Sequence, residues 1–265
     1  MLEVVFYAGS PLPQYIRDLY IIDGQGREFD PKWVNDKLPL VILSSITCIS
    51  SLSLEQVDFS GLSGATLAAL GGVTARVTRV ELTYVRFKDL ADCLAFLGAA
   101  VTLRSLTSCI TSFKDEVWSP RPVVTTILPE LVELELESDD DPLLDLLCST
   151  SSPPCIRAFS LYLGSNNISA VASFLGHLGP SLTHLHIQSF SSDRTPSDMN
   201  VQGTDLSKNP NLKKIIFGPN SSQWIVKILV TATPTLELVY MQLSPDYSDF
   251  PSLRRIFMTE GIFAV

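Results

Sequence analysis

Apolar residues recur along the chain in one spacing: an apolar position, two variable ones, an apolar position, one variable, and an apolar position. The pattern reads Ile49-Ser-Ser-Leu52-Ser-Leu54, Val77-Thr-Arg-Val80-Glu-Leu82, Leu131-Val-Glu-Leu134-Glu-Leu136, Ile156-Arg-Ala-Phe159-Ser-Leu161 and Leu182-Thr-His-Leu185-His-Ile187. Looser copies open at Ile16, Leu103, Leu212 and Leu236, so that nine copies start 24 to 33 residues apart. In each copy the alternating part suits a short strand, with even positions turned inward and odd ones outward. Helical patterns follow several copies. Residues 89–98 place Leu90, Leu94 and Leu97 on one face with Gly98 as a stop, and 169–179 place Val171, Phe174, Leu175 and Leu178 inward behind Ser169 as N-cap. Further helices are expected at 31–38, 63–70, 142–148 and 222–231.

Strand, turn and returning helix at a period of this size describe a solenoid, and the inner spacing is that of a leucine-rich repeat. The expected fold class is α/β: a curved parallel sheet on the concave face, with helices and loops on the convex face. Residues 1–265 then form a single domain of about nine to ten irregular units. Two copies continue alike, Leu54-Glu-Gln-Val57-Asp-Phe59 and Leu82-Thr-Tyr-Val85-Arg-Phe87. The common repeat carries Asn or Cys where Val57 and Val85 stand, so irregular turns are expected there. Residues 109–126 and 189–210 read as loop insertions, and a last copy at Leu253 follows too soon for a helix.

Composition narrows the function. Hydrophobic residues are 46% and charged residues 18%, too apolar for a disordered chain. A net charge of −9 without a basic run argues against nucleic acid or an anionic membrane as partner. The five cysteines form no C-x-x-C pair, and a role as small core hydrophobes in a reducing compartment is expected. With neither a signal-peptide pattern nor a ~20-residue apolar run, the chain reads as intracellular, cytoplasmic or nuclear.

No catalytic motif of the nucleophile-elbow, phosphate-loop or dinucleotide-loop type is present, and the reading is of a non-enzyme without cofactor. Glu133, Glu135, Glu137 and Asp139–Asp141 lack the ligand frame of a calcium loop; they read as a solvated acidic face or a partner patch. His184 and His186 share an outward face but lack further zinc ligands nearby, which favours a polar contact surface. Candidate partner-binding residues are Glu81, Glu133, Glu135, Glu137, Tyr162, His184, His186, Ile216, Leu238 and Tyr240. The last three are either a binding hot spot or a surface covered by the chain's own 257–265.

The segments at 15–20 and 26–39, together with Leu52-Ser-Leu-Glu-Gln-Val-Asp-Phe59 and Leu178-Gly-Pro-Ser-Leu-Thr-His-Leu185, resemble the leucine-rich-repeat regions of fungal (basidiomycete-type) F-box proteins. The resemblance implies a substrate receptor, whose N-terminal F-box docks on the adaptor of a cullin–RING ubiquitin ligase while the repeats hold the target. About 15 residues precede the first repeat, against the ~40–50 of an F-box, so no F-box is expected here. Leu128-Pro-Glu-Leu131 is a decoy for its opening motif, since it leads into a strand. Either the F-box was lost or the chain starts at an internal Met. The other reading is a solitary repeat domain that inhibits or sequesters a protein, its acidic face meeting a basic partner.

Overall fold

Each strand of the sheet opens two residues after the first apolar residue of its copy, at all nine copies from Ile16 to Leu236. A computed structural model of the chain describes residues 12–22, 32–109, 111–114, 128–137, 141–148, 150, 154–163, 168–189, 205–218, 229, 231–232 and 234–241. The chain divides into two compact units, residues 1–131 with 149–154, and 132–148 with 155–265.

The first unit contains β1 (Asp18–Ile22), α1 (Lys32–Ser45), β2 (Ser51–Glu55), α2 (Gly64–Thr74), β3 (Arg79–Thr83), β4 (Arg86–Phe87), α3 (Leu90–Gly98), β5 (Ser105–Cys109) and β6 (Ser112–Phe113). Its main strands pair in parallel in the order β1, β2, β3, β5. The second contains β7 (Glu133–Glu137), α4 (Asp141–Cys148), β8 (Ala158–Leu163), α5 (Ile168–Leu178), β9 (His184–Ser189), β10 (Lys214–Phe217) and β11 (Leu238–Met241). These strands too are parallel, each beside the next in the chain. One strand and one crossover per copy, repeated in register, is a leucine-rich-repeat solenoid.

Parallel register stacks like on like. Leu52, Val80 and Leu106 lie in one buried row of the first unit, and Leu134, Phe159, Leu185 and Ile215 in one row of the second. Each floor is covered by its neighbours, which at ~1.5–3 kcal/mol per buried aliphatic side chain is the main cohesion. Hydroxyls add a second stitch between copies. The residue before a copy donates to the carbonyl of the preceding copy's first residue: Thr102 Oγ1 to Val77 (3.0 Å), Ser181 Oγ to Ile156 (3.0 Å), Thr235 Oγ1 to Leu212 (3.2 Å). The residue after the start does likewise in Ser50 to Arg17, Thr78 to Ser50 and Thr183 to Arg157.

The turns after β2 and β3 are regular, contrary to expectation. Gln56 and Tyr84 both take left-handed backbone (φ 56° and 54°) and donate their N–H groups to Thr83 O (2.8 Å) and Cys109 O (2.9 Å) in the next copy. Backbone thus replaces the asparagine side chain, leaving Val57 and Val85 free to be buried. The chain then forms a second, two-stranded parallel ladder, β4 with β6. Behind it Phe59, Phe87 and Phe113 stack copy on copy, with ring centroids 4.4 Å apart for the first pair and 6.3 Å for the second.

Helix α3 turns Cys93, Phe96 and Leu97 into the core rather than Leu90 and Leu94, which are half-buried. The reason is Phe96, which packs edge-on to Phe59 at 5.2 Å and sets the helix's rotation. Ser169 is not an N-cap: α5 opens one residue earlier, so Ser169 lies in its first turn. Ser63 and Asp89 do cap α2 and α3, accepting from Thr66 N and Asp92 N. Helix α1 continues past the expected end, through Pro39 to Ser45, while burying Val34 and Leu38. Asn35 ties it to the start of α2, accepting from Ser63 N (2.7 Å) and donating to Gly61 O (2.9 Å).

The cysteines are free thiols, but only Cys93 is fully buried and Cys155 is exposed. Cys155 stands directly before Ile156, the place that Thr102 and Ser181 fill in other copies at the surface. The expected insertion at 189–210 is not all loop. Asp205 caps a turn of 3-10 helix at Leu206–Lys208, and the buried Asn209 donates to Leu175 O (2.8 Å) and Gly179 O (2.9 Å) at the end of α5. Most of the expected helix 222–231, the copy at Leu253 and the segment 257–265 lie outside the described residues.

Candidate partner-binding face

Because successive side chains of a strand point to opposite faces, every inward row has an outward row beside it. In the first unit the outward rows are Asp18–Ser51–Arg79–Ser105, Tyr20–Ser53–Glu81–Thr107 and Ile22–Glu55–Thr83–Cys109. In the second they are Glu133–Ala158–His184–Lys214–Leu238, Glu135–Ser160–His186–Ile216–Tyr240 and Glu137–Tyr162–Gln188. Eight of the ten expected residues therefore stand on the outward face of the second unit, and Glu81 on that of the first. The side chain of Glu137 lies outside the described residues.

The two faces differ in how their carboxylates are satisfied. In the first unit Glu81 accepts from Ser53 Oγ (3.2 Å) and Glu55 accepts from Tyr20 OH. In the second, neither Glu133 nor Glu135 has a hydrogen bond or ion pair among the described residues; Glu135 acts only through its field on His186. Such a carboxylate keeps its hydration until a cation arrives.

His186 sits mid-row between Ser160 and Ile216, with the Tyr162 ring edge-on at 6.1 Å. Burial holds its pKa below the ordinary histidine value, and the Glu135 charge opposes that shift without cancelling it. His184 is more exposed, its Nδ1 2.9 Å from Thr183 Oγ1. Among the described residues no group of three or more His, Cys, Asp or Glu is placed to hold a metal ion. The far end of the face is apolar: Leu238 is 44% and Tyr240 55% exposed, beside the half-buried Ile216. Lys213 and Glu237 pair at its rim (3.0 Å). On the upper edge Gln188 lies across Gly218, where a Cβ would come within 2.7 Å of Gln188 Cγ.

Sequence reasoning passed over the outward residues of the first strand. Tyr20 is 56% exposed and Ile22 40%, with Tyr15 exposed just ahead of them. The signal was available, since the loose copy Ile16-x-x-Leu19-x-Ile21 assigns 18, 20 and 22 outward.

The fold is that of a leucine-rich-repeat solenoid, and the outward strand face of each unit carries both polar and exposed apolar side chains. Among the described residues, no helix is long and apolar enough to cross a membrane. No protein-family model and no curated protein matches this chain. Among solved structures, the leucine-rich repeat-containing protein LegL7 from Legionella pneumophila is similar over 96% of this chain and 93% of its own, at 15% identity and a TM-score of 0.48.

Proposed function

We propose that the chain is a non-catalytic repeat domain that binds a protein through the outward strand face of its second unit. The observation that carries this reading is the exposure of Leu238 and Tyr240 in line with Ile216 on a regular sheet. Aromatic and aliphatic side chains held rigidly at a surface are the composition of a binding hot spot. In finer terms, the domain selects targets for a ubiquitin ligase, as the substrate-holding part of an F-box type receptor. Support for that step is the resemblance of 15–20, 26–39, Leu52–Phe59 and Leu178–Leu185 to such repeats.

A photo-crosslinking residue at Tyr240 tests the reading, with one at Tyr84, exposed in the first unit, as control. The expected result is a defined protein captured from Tyr240 and not from Tyr84, with a cullin adaptor in the same complex. Capture without the adaptor removes the ligase role; equal capture from both positions removes the face. The carboxylates of Glu133 and Glu135, unbonded among the described residues, favour a second reading, sequestration of a basic protein, marked by adaptor-free binding that weakens as salt is raised.

A further inference from the structure

The face of the second unit is graded along one direction, across the strands. Its middle row runs from Glu135 through Ser160 and His186 to Ile216 and Tyr240; the row below runs from Glu133 through Ala158, His184 and Lys214 to Leu238, so the carboxylates stand at one end and the exposed apolar side chains at the other. Ala158 and Ser160 are the smallest outward residues on this face, so the strip beside the two carboxylates is shallow. Four steps between neighbouring strands, at ~4.8 Å each, separate Glu135 from Tyr240 by ~19 Å. An extended peptide covers that distance in about six residues at ~3.3 Å each.

We infer that this face takes an extended segment of a partner protein that crosses the strands, with Arg or Lys against Glu133 and Glu135 and an apolar side chain about six residues away against Leu238 and Tyr240. This rests on the proposed function and deepens it by naming the partner's chemistry. Charge complementarity selects the occupant. Exposed apolar side chains stand on both faces, but the carboxylates of the first unit accept from Ser53 and Tyr20, whereas Glu133 and Glu135 are unbonded among the described residues. A basic group alone would be satisfied by water, and an apolar group alone would ignore the acidic end. Only a segment carrying both, at the right separation, uses both ends.

The test uses the full chain and two fluorescent peptides of equal composition. One is Arg-Arg-Ser-Gly-Ser-Gly-Ser-Phe, with Phe six residues after the second Arg; the other is Arg-Arg-Phe-Ser-Gly-Ser-Gly-Ser. The spaced peptide is expected to bind at least ten-fold more tightly. In Glu133→Gln/Glu135→Gln the advantage and the salt dependence disappear together. In Tyr240→Ala the advantage disappears and the salt dependence stays, while Tyr240→Phe, which preserves the ring, binds like the parent. Equal affinity for the two peptides, or variants that bind as the parent does, overturns the inference. So does peptide binding absent throughout with a melting temperature lowered by Tyr240→Ala, which would mean that the chain's own 257–265 occupies the face. A dimer dissociated by Tyr240→Ala would overturn it as well, by making a second copy the occupant. Specific crosslinking of a protein from Tyr240 alongside failed peptide binding sinks this inference alone; loss of both sinks the proposed function too.

Discussion

Burial ties the protonation of His186 to the stability of the fold. Ser160 and Ile216 flank it in its row, Tyr162 leans on its ring, and Glu135 is two strands away. Burial lowers its folded pKa below the ~6.5 of an unfolded histidine. The unfolded chain therefore binds the proton more readily, so this group's contribution is fully present above pH ~6.5 and declines as pH falls below it. Urea midpoints measured from pH 8 to 5 should decline on the acid side, and His186→Gln should flatten part of that slope. A variant with the parent's slope would assign the response to other groups. That the two histidines share a face is legible from their two-residue spacing. Their unequal burial is not, because it depends on Tyr162 and Ile216 from neighbouring copies.

At the scale of the element, the second ladder adds a stacked aromatic row to the first unit. Phe87 lies between Phe59 and Phe113 and also meets Phe96 of α3 at 6.0 Å, so one ring joins three copies. Phe87→Ala should cost ~3–5 kcal/mol in a denaturant titration, because the three surrounding rings cannot all close on the space. Leu67→Ala, on the exposed side of α2, should cost little by the same measurement. The strands were legible because alternation is local: Leu134 and Leu136 declare their side of the sheet within six residues. The ladder was not, because Val57 and Val85 look like departures from the common repeat until a carbonyl of the next copy is seen to receive the turn's N–H group. The hydroxyl stitches were hidden for the same reason, since Thr102 or Ser181 means nothing until paired with another copy. Pro39 misled in the other direction: its missing N–H suggests an end to α1, yet the helix runs on to Ser45.

For the whole molecule, cohesion is a chain of nearest-neighbour contacts rather than one central core. Leu185 lies between Phe159 and Ile215, so Leu185→Ala should cost ~2–5 kcal/mol and act first on its neighbours. Hydrogen exchange should show lost protection in β8, β9 and β10 before any in β2 and β3. Uniform loss across all strands would mean that the chain melts as a single cooperative body.

The constant offset between copy and strand keeps two sets of positions apart. One set answers to folding, and its letters are restricted to greasy ones of fitting size. The other projects away and carries little structural duty, so a lineage carrying this chain can change the chemistry of its outward face by ordinary point changes. Gaining or shedding a turn would lengthen or shorten the outward face by one rung, with the remaining rungs undisturbed.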